Sequence, residues 1–285
     1  MARTLVIGPG RVGRALALVH RRAGEEVLLV GRKPGPWQAW AAEQGIRTTL
    51  HLADGAAHKP RLVLIAVPDR GIAEVASDCA RDLACDGTLI VHVSGMHDVN
   101  VLQAAALEGA FTAAMHPVMQ FLEPERDAEM LRHAIVTITA SPNAREEALK
   151  IAAVWGARPV RLKAEVDRRR YHLGLALASN HITALMAWAE ELLRPAFGEE
   201  AWDVVDTMAT QAMGAARANG PAAALTGPVA RGDVATVREH LAGLSEEERH
   251  RYAGLLEVVL NLAVKSERLD PDSARELREL AERHR

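Results

Sequence analysis

Cysteine is nearly missing from this chain of 285 residues, which has only Cys79 and Cys85. Six positions apart in a stretch of helical character, they fall on opposite faces, so a disulfide or a shared metal would need that helix to break. Two small, partly buried side chains are expected, with a redox role as the remote alternative. An excess of one charge is also lacking. The formal net charge of -3 gives no reason to expect a nucleic-acid partner, which usually demands a strongly basic domain or face. No uninterrupted apolar run approaches the ~18 residues of a membrane span. The opening MARTLVIGPG passes directly into a strand-like run, without an apolar stretch and a small-residue cleavage site, so the expected location is cytoplasmic. Twelve histidines are present, yet no HExxH-like or CxxC-like spacing occurs, and no metal is expected. Internal repeats and low-complexity segments are missing too.

What is present is an ordinary globular composition, 49% hydrophobic and 25% charged, in a chain long enough for two domains. Runs rich in Val, Ile and Leu recur at 4–8, 26–30, 62–67, 88–93, 111–115 and 134–139. Stretches of helical length lie between most of them, at 11–22, 36–44, 70–84, 98–107 and 144–155. Nearly continuous apolar strands separated by helices predict an α/β domain, a doubly wound and mostly parallel sheet covered on both faces, over 1–162. From 163 to 285 the pattern becomes all-helical: 166–194, 199–218, 233–243, 246–266 and 272–284. Pro195 with Gly198, Gly220-Pro221, Gly227-Pro228 and Gly243-Leu244-Ser245 mark the breaks. Ser245 with Glu248 has capping-box spacing, and Asp270-Pro271 reads as an N-cap followed by proline at the first helical position.

The first chemistry lies in GPGRVG, residues 8–13, which follows a strand and opens a helix. Gly8, Gly10 and Gly13 match the dinucleotide fingerprint in the context it needs, with Arg11 and Val12 in the same turn. Gly8 permits the tight turn, Gly10 lets a pyrophosphate approach, and Gly13 lets the helix pack on the strand. Amides at the helix start then face the phosphates. At the end of the second strand an NAD site would carry an acid, but here LLVGRKPG places Arg32 and Lys33. A guanidinium can hold a 2′-phosphate in bidentate fashion, so NADP(H) is favoured over NAD(H); a merely solvated basic loop is the other reading. Val67-Pro68-Asp69 and Ser94-Gly95-Met96 follow later strands, at the edge where open α/β sheets bind ligands. Turns are also written with such residues for structural reasons alone. His116 ends a strand at the same edge, where it either lines the cleft or simply occupies a turn beside Pro117.

In YHLGLALASNHITAL, residues 171–185, an apolar run is interrupted by His172, Ser179, Asn180 and Thr183. At about 100° per residue, His172, Ala176, Ser179 and Thr183 form one narrow stripe with Asn180 on its flank, small and uncharged in its middle. Either another part of the protein or a small ligand packs there. His181 points away and is expected to be structural. The run Arg168-Arg169-Arg170 is expected as a solvated helix start, from which one arginine could reach a phosphate or carboxylate.

The order GPGRVG, AVPD, HVSG, MHP, YHLGLALASN and LTGPVARGD resembles, over essentially the whole chain, a bacterial family that joins a Rossmann-like NADP-binding domain to a helical C-terminal domain of unknown function. More distantly the chain is similar to the superfamily of 6-phosphogluconate dehydrogenase, β-hydroxyacid dehydrogenases, ketopantoate reductase and pyrroline-5-carboxylate reductase. The resemblance implies an NADPH-dependent reductase of a small carboxylate-bearing ketone, ketopantoate or another 2-oxo acid. It also implies that the helix entering the second domain carries catalytic residues and that the chain forms a homodimer. Ketopantoate reductases start this helix with a Lys, followed four and eight residues later by Asn; aligned on Asn180, these positions hold His172 and Ala176. The general acid would then be His172, since among residue types histidine ordinarily has the pKa nearest neutral pH. Asn180 and Ser179 would contact substrate, and Thr226 and Asp233 are carried over as substrate or catalytic groups. Arg231 suits a substrate carboxylate, although Asp233 as an N-cap with Arg231 its surface neighbour is an equal reading. The alternatives are an imine reductase of the pyrroline-carboxylate type and a non-catalytic NADP-binding sensor or scaffold.

Overall fold

The computed structural model describes residues 2–163, 165–267 and 269–285. By internal contacts it divides into two units, Met1–His181 and Ile182–Arg285. The expected boundary at 162/163 marks where strands give way to helices; the contact boundary lies later because the first helix after the sheet stays bound to it.

The first unit runs β1 (Arg3–Ile7), α1 (Arg11–Arg22), β2 (Glu26–Val30), α2 (Pro36–Glu43), β3 (Arg47–Thr49), α3 (Asp54–His58), β4 (Leu62–Ile65) and α4 (Ile72–Asp82). It continues with β5 (Leu89–His92), α5 (Gln103–Leu107), β6 (Phe111–Val118), α6 (Pro124–Met130), β7 (Ile135–Ala140), α7 (Arg145–Val154), β8 (Arg158–Arg161) and α8 (Arg168–Ala176). The strands form one sheet in the order β3-β2-β1-β4-β5-β6-β7-β8. Neighbours are parallel throughout except β6 with β7. The order reverses at β1 and β4, where such sheets open a crevice at the carboxyl ends of their strands.

Alternation of side chains across each strand builds two cores. Val6, Leu29, Leu64 and Val91 join one with Leu16 of α1 and Trp155, which caps α7, while Leu5, Ile7, Val63, Ile65 and Ile90 face the other with Ile72 and Leu102. A polar chain stitches the first core's edge: Trp155 Nε1 donates to His20 Nε2 at 3.0 Å, and His20 Nδ1 donates to Glu25 at 3.0 Å. Burial opposes ionisation of Glu25, but the hydrogen bonds from His20 and Thr4 outweigh it and lower its pKa.

Two strands beyond the expected six are present, RTT in β3 and RPVR in β8. Both lie at the edges of the sheet, where charge and proline discourage further pairing. The expectation for the cysteines needs correction. Leu83 leaves helical geometry right after α4, so Cys85 lies beyond the helix, and both thiols are fully buried. Cys85 Sγ reaches the Cys79 carbonyl at 3.3 Å, and burial pushes the Cys79 thiol up to about 12.

The second unit contains α9 (Ile182–Phe197), α10 (Ala201–Asn219), α11 (Pro221–Ala224), α12 (Pro228–Arg231), α13 (Val234–Ala242), α14 (Glu246–Lys265) and α15 (Pro271–Arg283). Val229, Val237, Leu241, Leu256, Leu260 and Leu277 form its core. The Ser245–Glu248 capping box and the Asp270 N-cap form as expected. Pro195 does not end its helix, contrary to the expected break. It sits in the last turn of α9, where the exposed Glu191 and Pro195 let water satisfy the carbonyl that proline leaves free. The stop comes at Gly198, with φ +56°. Among the described residues no helix is long and apolar enough to cross a membrane.

Candidate active site

The glycine turn between β1 and α1 is shaped by contacts that only glycine permits. Gly8 has φ +106°, and a Cβ there would stand 2.4 Å from the Ala66 carbonyl oxygen. A Cβ on Gly13 would stand 1.9 Å from the Gly8 oxygen, so the helix is seated on the turn backbone. At Gly10 nothing lies within 4 Å of the added atom. Two glycines are thus required by the protein itself, and the third leaves open space at the helix start. No acidic residue stands in the first turn of α1, so no carboxylate of that turn offsets the positive end of the helix dipole. Arg11 is exposed and Val12 partly buried in the same turn.

The end of β2 is fixed from below. A Cβ on Gly31 would meet the Trp37 ring at 2.5 Å and Pro9 at 2.9 Å, and Trp37 Nε1 donates to the Lys33 carbonyl at 3.1 Å. The loop is therefore held while the side chains of Arg32 and Lys33 are exposed. Neither has an ion-pair partner among the described residues.

After β4, Val67 is half-buried and Pro68 exposed. After β5, Ser94 Oγ accepts from the amides of Met96 and His97, at 3.0 and 3.3 Å. His92, fully buried, holds this turn: its Nδ1 accepts from the Ser94 amide at 3.2 Å and its Nε2 donates to the Asp98 carbonyl at 2.9 Å. Burial lowers its pKa to about 4. The face of the His116 ring, from β6, lies against Gly95, where a Cβ would come 2.9 Å from Cε1 and 3.1 Å from each ring nitrogen.

Two further anchors come from α8. Tyr171 Oη lies 2.9 Å from His116 Nδ1 and 3.0 Å from Thr137 Oγ1, and Arg168 Nη2 donates to Thr139 Oγ1 at 2.6 Å. The Arg168 guanidinium carbon sits 5.8 Å from the centre of the Tyr171 ring. Burial lowers the pKa of Arg168, and no carboxylate lies within ion-pair distance of it among the described residues. His116 is pushed down to about 4, by burial first and then by His172 and Arg168.

The stripe expected from His172 to Thr183 does not run straight. Leu177–His181 form a π-helical turn, and its wider winding breaks the spacing of about 100° per residue that the stripe assumes. Ser179 Oγ donates to the Leu175 carbonyl at 2.9 Å, and His181 Nδ1 donates to the Ala176 carbonyl at 3.0 Å. His172 and Asn180 are exposed. In the second unit, Thr226 and Arg231 are exposed. Asp233 caps α13 there, accepting from the Thr236 amide at 3.1 Å and the Thr236 hydroxyl at 2.7 Å. Those interactions lower its pKa.

Sequence reasoning passes over Tyr171 and His92. Tyr171 stands in the quoted motif, but its partner His116 is 55 positions away, and His92 lies inside an apolar run. A cavity of about 430 Å³ lined by Arg3, Glu26, Arg47 and His58 opens at the amino ends of β1 to β3, away from the glycine turn. Among the described residues no group of three His, Cys, Asp or Glu side chains could hold a metal ion.

Residues 2–117 match a family described as a Rossmann-like domain, and residues 134–257 match a domain of unknown function, DUF2520. No protein of curated function matches the chain. Among solved structures, a proposed NADP oxidoreductase from Bacteroides fragilis is 21% identical with a TM-score of 0.73, over 93% of this chain and 97% of that one. A pyrroline-5-carboxylate reductase from Coxiella burnetii is 13% identical with a TM-score of 0.59, over 98% of both chains. An imine reductase from Streptomyces aurantiacus is 17% identical with a TM-score of 0.60, over 99% of this chain and 93% of that one. In this chain a match to the Rossmann-like domain is thus followed by a match to this domain of unknown function.

Proposed function

We propose that the protein is an NADPH-dependent reductase of a small carboxylate-bearing ketone, a 2-oxo acid such as ketopantoate being the first substrate to try. The observation that carries the reading is the glycine turn: Gly8 and Gly13 are demanded by backbone contact, while Gly10 leaves the start of a 12-residue helix open. That is the arrangement a pyrophosphate needs. Gly8, Gly10, Gly13 and the amides of Arg11 and Val12 would hold it, and Arg32 with Lys33 would hold the 2′-phosphate. Val67, Pro68, Ser94 and Gly95 line the carboxyl edge beyond. The bound nucleotide would supply a hydride.

Arg168 supports the carboxylate: a half-buried guanidinium whose one hydrogen-bond partner among the described residues is a hydroxyl retains donors for an anion. His172, Ser179 and Asn180 remain candidates for proton supply and substrate contact; within the helical unit Thr226, Arg231 and Asp233 are candidates on the resemblance alone. Reduction of a cyclic imine is the second reading, supported by whole-length likeness to two proteins named for C=N reduction. A homodimer is supported by the large exposed apolar side chains of α9 and α10.

Calorimetric titration of the protein and its Arg32→Ala variant with NADPH and NADH tests the cofactor half. NADPH preference should be clear in the parent and reduced 10- to 100-fold in the variant, on the order of 1.5–3 kcal/mol for a charged hydrogen bond. Binding of neither nucleotide to the parent would leave the turn a structural one and remove the reductase reading.

A further inference from the structure

We propose that Tyr171 is a positioning residue that fixes His116 as its Nε2–H tautomer, so that this N–H is the donor to the oxygen or nitrogen of a bound C=O or C=N group. The inference rests on the reductase reading for what is bound, and on hydrogen-bond geometry for the tautomer.

The geometry decides by counting hydrogens. Thr137 Oγ1 has one hydrogen and two acceptors in view, Tyr171 Oη at 3.0 Å and the His116 carbonyl at 3.5 Å. The second distance is outside the useful range for a hydroxyl donor. Thr137 therefore donates to Tyr171. Burial raises the pKa of Tyr171, so the phenol keeps its hydrogen, and its remaining partner is His116 Nδ1 at 2.9 Å. A ring nitrogen that accepts carries no hydrogen, so in the neutral ring the hydrogen sits on Nε2. The opposite direction, from Nδ1–H through Tyr171 to Thr137, would leave the Thr137 hydrogen only the 3.5 Å contact. The chain Thr137 to Tyr171 to His116 is the better bonded one.

Neutrality follows from the surroundings. Burial comes first; His172 and Arg168 from α8, and more weakly His92 from β5, disfavour a charged ring in the same direction, and Asp69 after β4 opposes them. The ring rests on Gly95, where any side chain would collide with it, so it cannot turn over without leaving Tyr171. Nε2 has no hydrogen-bond partner among the described residues, and it lies beside the Ser94–Gly95 turn at the ligand edge of the sheet. A held, neutral N–H in a half-buried place stabilises charge that develops on a substrate atom without first having to reorganise.

The experiment is nitrogen NMR of the full chain carrying ¹⁵N-labelled histidine, with the His116 signals assigned by their loss in His116→Gln. A bare Nδ1 and a protonated Nε2 are expected at neutral pH. In Tyr171→Phe the single tautomer should give way to a mixture, and in Thr137→Val, an exchange of similar shape, the shift should go the same way. A protonated Nδ1 in the parent overturns the proposal, and so does an unchanged Nε2–H tautomer in both variants. If Tyr171→Phe does not fold, the tautomer in Thr137→Val decides alone. NADPH calorimetry on the same samples separates the two claims. Failure of the parent to bind removes the reductase reading and the substrate with it, whereas equal binding with an unmoved tautomer removes the role of Tyr171 alone.

Discussion

In the sheet unit, Leu5, Leu16, Leu29, Leu64, Ile65, Ile90 and Met115 are all less than 2% exposed, whereas α9 and α10 hold Leu192, Phe197, Trp202, Met208 and Met213 at 44 to 62%. The later helices of the same unit behave like the sheet, with Leu256, Leu260 and Leu277 at 1% or less. The contrast therefore lies between the cores of the sheet and of the later helices and a helical pair on which exposed large apolar side chains are concentrated. A sheet covered on both faces completes its own core within one chain. A helical pair with large apolar side chains facing water does not, and its sequence makes sense if a second copy covers it.

The largest expected effect comes from charging exposed apolar side chains of α10. Met208→Glu with Met213→Glu removes two apolar contacts and would bury two carboxylates, so a dimer formed there should weaken by more than about 4 kcal/mol, roughly a thousandfold. Light scattering after gel filtration should then find monomers; persistence of the parent's assembly would put the interface elsewhere. Within the sheet unit, Gly13→Ala forces a Cβ toward the Gly8 oxygen and should cost about 2–3 kcal/mol in urea unfolding, as overpacking does. NADPH binding should be lost with it, and an unchanged midpoint would show that α1 shifts freely.

Acid should separate the two units. His92 titrates at about 4 in the folded chain and at 6.5 when unperturbed, so between those values the unfolded chain binds a proton that the native one does not. Stability contributed by the neutral ring is complete above 6.5 and falls as pH drops, by up to about 3 kcal/mol near pH 4. Hydrogen exchange should accordingly accelerate in β4 to β6 before α13 to α15 between about pH 7 and 5, and the reverse order would refute the assignment. The smallest effect is Ser245→Ala, which removes the capping box of α14 and should cost about 1 kcal/mol. Protection in α14 should fall with little change in the sheet.

Much of the architecture can be read from the chain because parallel strands buried on both sides appear as apolar runs. Legibility fails at the edges: RTT and RPVR carry no such run, and the polar PERDAEM of α6 packs beside α1 without an apolar stripe to announce it. The same division holds at the candidate site. Local contacts shape the glycine turn, with Gly8 and Gly13 answering to neighbours within one βα unit and Ala66. Tyr171 owes its place to the antiparallel pairing of β6 with β7, which sets Thr137 beside His116 and has no local signal. The π turn at Leu177–His181 escapes a uniform helical period, because one wider turn rotates everything after it.

The two hydroxyls on β7 act together as a ruler. Thr137 and Thr139 are two residues apart on one face of a strand, and they bind Tyr171 and Arg168, three residues apart on one face of a helix. One peg would let the helix swivel, whereas two pegs fix both its rotation and its position along the strand. Inserting a residue between Arg168 and Tyr171 would swing one peg by about 100° away from its hole. Register is therefore set where the helix meets the strand, so the number of residues joining β8 to α8 can change while Arg168 and Tyr171 keep their places.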